Sequence, residues 1–125
     1  RILYSAGEAD ATGLYLIERA SKTIIPIAAA TFAEKCVWAA DSAVIYCAVP
    51  KQKITGADLS TWHRGEISFS DKFIAINPTS GAVKDIFDPG ITGNTLDALS
   101  LVYKSTGEIV FINKNNLHIY VLEIN

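Results

Sequence analysis

The residues best placed to do chemistry are the two cysteines, Cys36 and Cys47, which bracket a hydrophobic segment centred on Asp41-Ser42. A two-residue turn at that centre sets them directly opposite one another across an antiparallel hairpin. Cα atoms of a non-hydrogen-bonded pair approach to about 4.5 Å there, within the reach of a disulfide. A longer turn would instead set Cys36 opposite Ile45. The other reading keeps both as buried thiols packed like small apolar groups, and it stays open at this point. A bridge would imply maturation in an oxidising compartment. Zinc is poorly served, because two cysteines without a Cys-x-x-Cys or a pair of histidines do not complete a site.

A second candidate is Trp62-His63-Arg64, preceded by Asp58 and Thr61 in a polar stretch between two strand-like segments. An aromatic beside cations on a loop is the composition of a recognition surface, here for a protein or glycan ligand. The alternative is that Trp62 folds back to cap the end of its sheet while His63 is solvated. Proton transfer by His63 would need a carboxylate and a nucleophile brought to it by the fold. His118, at the start of a strand-like run, reads as a surface side chain. Asp85, Asp88, Asn94 and Asp97 gather around Pro89-Gly90, and oxygen donors on a Gly-containing loop are calcium chemistry. The twelve-residue calcium-loop spacing is absent, and Asp or Asn in turns commonly binds local backbone. No metal or cofactor is therefore assigned. Gly-x-Ser-x-Gly, the phosphate-binding loop, His-Glu-x-x-His and the dinucleotide fingerprint are all missing, so no catalytic residue is named.

The elements that must position these residues read as nearly all β. The 125 residues are 50% hydrophobic with a net charge of −2, which describes a globular chain rather than a disordered one. No two Lys or Arg residues are adjacent, so the basic stripe that nucleic acid requires is absent. The longest apolar stretch, residues 24–32, contains Pro26 and falls well short of the roughly 20 residues of a membrane span. Strands are expected at residues 2–5, 14–18, 23–27, 36–39, 44–48, 73–76, 83–87, 99–103, 108–113 and 118–123, with one helical turn near residues 56–61. Pro78-Thr-Ser-Gly81, Ser105-Thr-Gly107 and Asn115-Asn116 supply turns between them.

The pattern recurs. Residues 36–47 are echoed at 101–112, and Phe73 to Phe87 is echoed at 14–27 and begun again at Ile119. The interval from Phe73 to Ile119 is near the roughly 40–45 residues of a four-stranded propeller blade. An insertion at 50–70 accounts for the longer interval before it. The expected fold is a partial β-propeller of about two and a half four-stranded antiparallel blades. They comprise a partial blade at 1–27, a full blade at 33–87 carrying the inserted loop, and a three-stranded final blade at 97–125. Beginning at Arg1 within a strand-like run, the chain reads as a C-terminal fragment.

The hairpins at Trp38-Ala-Ala-Asp-Ser42 and Lys104-Ser-Thr-Gly-Glu108 resemble the Trp-Ser-Pro-Asp-Gly-Lys hairpin of WD40-like propeller repeats of the TolB type. Phe73-Ile-Ala-Ile-Asn-Pro-Thr-Ser-Gly81 is similar to the Leu-Tyr-Val-Val-Asp-x-x-Thr-Gly element of that repeat. Ala40 stands where Pro is usual and Ser42 where Gly is usual, so the likeness concerns fold. Residues 46–51, 62–71 and 111–116 also resemble uncharacterised propeller proteins of candidate-phyla bacteria. That resemblance implies a propeller facing the outside of the cell, favours the Cys36–Cys47 bridge, and brings no catalytic assignment. The expected function is non-enzymatic binding or scaffolding, with self-association through open blade edges. The alternative is part of a propeller hydrolase or lactonase whose channel site other blades complete.

Overall fold

A computed structural model describes residues 1–8, 11–92 and 95–124. Its strands are β1 (Ile2–Glu8), β2 (Ala11–Glu18), β3 (Thr23–Ile27), β4 (Cys36–Trp38), β5 (Ile45–Pro50), β6 (Asp71–Ile76), β7 (Val83–Phe87), β8 (Ala98–Lys104), β9 (Glu108–Asn113) and β10 (His118–Glu123). They form three antiparallel meanders, ordered β1-β2-β3, β4-β5-β6-β7 and β8-β9-β10. The fold is all-β, and each sheet keeps two open edges. One short helix, α1 (Asp58–His63), interrupts the path from β5 to β6.

Strand ends differ from the sequence expectation chiefly where polar or small residues lie. β1 runs on through Ser5 and Gly7, and β2 begins at Ala11, because the cross-strand ladder between them continues to the pair Glu8–Ala11. Helix α1 starts at Asp58 rather than Gly56. The Asp58 carboxylate accepts the Thr55 N–H at 2.8 Å and closes the entry turn.

The β4–β5 loop departs from the two-residue turn. Ala39 N–H donates to Val44 O at 2.9 Å, leaving four residues in the loop, with Ser42 in the left-handed region at φ 58°. The loop is symmetric about the same point as the shorter turn, so Cys36 still pairs with Cys47 and Trp38 with Ile45.

Alternation along β5 and β6 divides the core in two. Ile45, Cys47, Val49, Ile74 and Ile76 pack against Leu14, Leu16 and Ile27 of the first sheet. From the opposite face, Ala48 and Phe73 pack against Ala98, Leu101, Ile109 and Phe111 of the third. The middle sheet is thus covered on both sides. Gly81, at φ 78° in the β6–β7 turn, packs so closely on β3 that a Cβ there would lie 2.8 Å from Ile25 Cγ2. A third cluster of Phe32, Ile54, Trp62 and Phe69 lies beneath α1.

Candidate recognition site

The segment before β4 sets the base of the site. The Thr31 hydroxyl donates to Ala48 O at 2.7 Å, and a 3₁₀ turn over Ala33–Lys35 directs Lys35 inward, where it is fully buried. Its ammonium lies 2.8 Å from Asp71 Oδ2, 2.8 Å from Asp97 Oδ1 and 2.8 Å from Ala98 O. It also stands over the Trp62 ring at 4.6 Å, a cation–π contact in a desolvated place.

Asp97 ties the inserted segment to this base. Its carboxylate accepts the Trp62 indole N–H at 2.9 Å and the Phe69 backbone N–H at 3.0 Å. Asn113 Oδ1 in turn accepts the Asp97 N–H at 3.1 Å. Lys114 donates to Trp62 O at 2.5 Å, and its ammonium also stands over the indole at 5.3 Å. A short helix that could not hold itself in isolation is therefore clamped at its tryptophan by Asp97 and Lys114, which flank β8 and β9, with Lys35 over the ring.

Asp71 is the odd member. Its Oδ2 accepts the Ala98 N–H at 2.7 Å as well as Lys35, while its buried Oδ1 has no hydrogen-bond partner. Burial pushes its pKa up to about 6, against the opposing pull of the Lys35 ammonium, and the nearby Asp97 charge adds to the rise.

The sequence candidates separate. Trp62 is fully buried, so it anchors the insertion and is not a contact residue; its size and its indole donor are both satisfied in the interior. His63 is exposed and pairs with Glu34 at 3.0 Å, and Arg64 pairs with Glu66 at 3.2 Å. These two remain on the surface beside the anchor. His118 is exposed. Cys36 and Cys47 are joined as a disulfide, with Cα atoms 4.0 Å apart.

The acidic group does not converge. Asp85 pairs with Lys72 at 3.2 Å, Asp88 pairs with Lys51 and accepts the Gly90 N–H, and Asp97 is buried elsewhere. The Lys51 ammonium holds the Asp88 carboxyl below its ordinary range. Asn94 lies outside the described residues. Among the described residues, no group of three or more His, Cys, Asp or Glu is placed to hold a metal ion.

Next to the clamped insertion lies a cleft of about 500 Å³, walled by Ser68, Thr95, Leu96, Asn113, Asn115, Asn116 and Tyr120. Its polar groups are all uncharged amides and hydroxyls. Asn113 is committed to the backbone around it, through Asp97, Asn115 and Thr95. Asn116 holds the Tyr120 hydroxyl at 2.9 Å, and the Tyr120 ring stacks on Phe111 at 5.8 Å. The Ser68, Thr95 and Asn115 side chains stand exposed at the rim. A second cleft of about 620 Å³ lies beside the Lys51–Asp88 and Lys72–Asp85 pairs, with Lys53 also on its wall. No family model, curated protein or solved structure matches the chain.

Proposed function

We propose that this chain is a non-enzymatic segment of a β-propeller of the WD40-like, TolB-like kind, acting outside the cytoplasm as a recognition module for a surface glycan. The propeller reading draws support from antiparallel meander order, four-stranded in the middle sheet and three-stranded in the outer two, from a middle sheet covered on both faces, and from insertion of extra chain at a loop rather than within a strand. The Cys36–Cys47 bridge supports an oxidising compartment.

The observation that carries the glycan assignment is the uncharged cleft beside the insertion. Amides and hydroxyls with one aromatic ring and the apolar Leu96 match a neutral, hydroxyl-rich ligand, whereas an acidic or basic ligand would find no counter-charge there. Rigidity supports it too. The Ser68 rim is fixed by Phe69 N–H on Asp97 and by Gln52 Nε2 donating to Ser68 O at 3.3 Å, so little ordering is left for binding.

The test is an array of neutral and acidic oligosaccharides probed with the oxidised chain. Binding to neutral members is expected, weakened about fivefold by Asn115→Ala, the loss of one hydrogen bond, and abolished by Ser68→Trp, which fills the cleft. Binding unchanged by Ser68→Trp, or confined to acidic sugars and lost with His63→Ala/Arg64→Ala, would remove the cleft from the reading. An array with no bound member would remove the glycan.

A further inference from the structure

A smaller cleft of about 200 Å³ lies between the second and third sheets, and its walls include Phe73 of β6, Phe87 of β7, Phe111 of β9, Tyr120 and Leu122 of β10, and Leu96. The aromatic rings follow one another in a row. Centroid distances are 6.4 Å from Phe87 to Phe73, 5.1 Å from Phe73 to Phe111 and 5.8 Å from Phe111 to Tyr120. Phe73, Phe111 and Leu96 are buried, whereas Phe87 is 38% exposed and leaves the row open at one end. None of the residues lining this cleft carries a charge. Such walls give water few hydrogen-bonding partners, so an uncharged, carbon-rich group is the occupant they favour.

The apolar cleft adjoins the polar one. Leu96 and Tyr120 stand in the walls of both. Asn116, on the polar side, donates to the Tyr120 hydroxyl at 2.9 Å, while the Tyr120 ring stacks on Phe111 on the apolar side. One side chain thus gives a hydroxyl to one cleft and a ring to the other. The divide is fixed, because Leu96 O accepts the Asp71 N–H at 2.7 Å and Asn113 Oδ1 accepts the next N–H along, that of Asp97.

We infer that the two clefts are subsites for one amphipathic ligand, a neutral sugar in the polar cleft joined to an aryl aglycone in the apolar one. Size limits the aglycone. An apolar cavity of about 150 Å³ holds benzene, so about 200 Å³ takes a single ring and little more. An aryl group is favoured over an alkyl group of equal size because it meets the rings of Phe73, Phe87 and Phe111, and aromatic pairs are worth more than their buried area.

The inference rests on the neutral-glycan reading above, and its test separates the two. Titration calorimetry on the oxidised chain compares the phenyl, cyclohexyl and methyl glycosides of glucose, galactose, mannose and N-acetylglucosamine. For the sugar that binds, the phenyl glycoside is expected to bind about tenfold tighter than the methyl one, from burial of one ring, with the cyclohexyl glycoside between them. Leu122→Trp, which fills the apolar cleft from a half-buried position, is expected to bring the phenyl glycoside down to the methyl level and leave the methyl one unchanged. Phe87→Ala, at the exposed end of the row, is expected to cut the phenyl advantage about threefold, and it serves alone should Leu122→Trp fail to fold by circular dichroism. Equal binding of phenyl and methyl glycosides by the wild type would overturn the inference and leave the sugar in the polar cleft. A cyclohexyl glycoside as tight as the phenyl one, or a phenyl preference untouched by the substitutions that fold, would overturn it as well. No binding of any of these glycosides would also overturn it, and an oligosaccharide array without a bound member beside that result would take the glycan reading too.

Discussion

At the scale of single residues, the decisive group is the buried trio of Lys35, Asp71 and Asp97. Two carboxylates share one ammonium, so full ionisation leaves one uncompensated negative charge in the interior, and Asp71 is the member with an oxygen left unpaired. A proton on Asp71 restores neutrality. Its pKa is raised from 3.8 unfolded to about 6 folded, so the folded chain binds a proton that the unfolded chain releases between those values. The stability this group contributes is full below the unfolded pKa and is lost as pH rises through about 6. The urea midpoint is therefore expected to be higher near about pH 5 than near about pH 8, and Asp71→Asn is expected to flatten that difference. A midpoint that rises with pH in the wild type, or the same slope in the variant, would refute it. None of this trio was legible in the sequence as a unit. Lys35 stands alone before a cysteine, Asp71 opens a strand, and Asp97 looked like one more oxygen donor in a turn. Trp62 was legible as important with both roles left open, because aromatic-plus-cation composition describes an anchor as well as it describes a contact surface; its burial is that of the anchor.

At the scale of elements, the strands were legible because β-branched and aromatic runs punctuated by Asp-Ser, Thr-Ser-Gly and Asn-Asn leave few other partitions. Their ends were less so, since β1 and β2 extend through residues whose only reason to be extended is the partner opposite. The Cys36–Cys47 register survived a turn of different length because both loops are symmetric about Asp41-Ser42. That hairpin also carries a measurable share of stability. Three-residue β4 has few ladder bonds of its own, and closing the loop between its cysteines removes unfolded-state entropy worth about 3 kcal/mol at this loop length. Cys36→Ala/Cys47→Ala is expected to lower the unfolding free energy by about that amount, with reduction of the wild type giving a similar loss. Equal urea midpoints for oxidised and reduced chain would show that the register alone holds β4.

At the scale of the whole molecule, the three sheets are unequal in what shields them. β5 and β6 are central strands of the only sheet among the described residues that has both faces packed, and Ile45, Cys47, Ala48, Phe73, Ile74 and Ile76 are nearly or fully buried along them. β3 and β10 are edge strands of sheets covered on one side, and Ile24, Ile119 and Val121 lie on them in contact with solvent. Opening a backbone amide in β5 or β6 requires parting two apolar cores at once, while fraying of β10 frees only the Tyr120 and Leu122 contacts at the margin of one. Native-state hydrogen exchange is therefore expected to rank β5 and β6 as the slowest, approaching the global unfolding limit, with β3 and β10 the fastest of the strands. Uniform exchange across the three sheets would mean that they do not stack as separate layers around a shielded middle one, and the propeller reading built on that stack would have no basis.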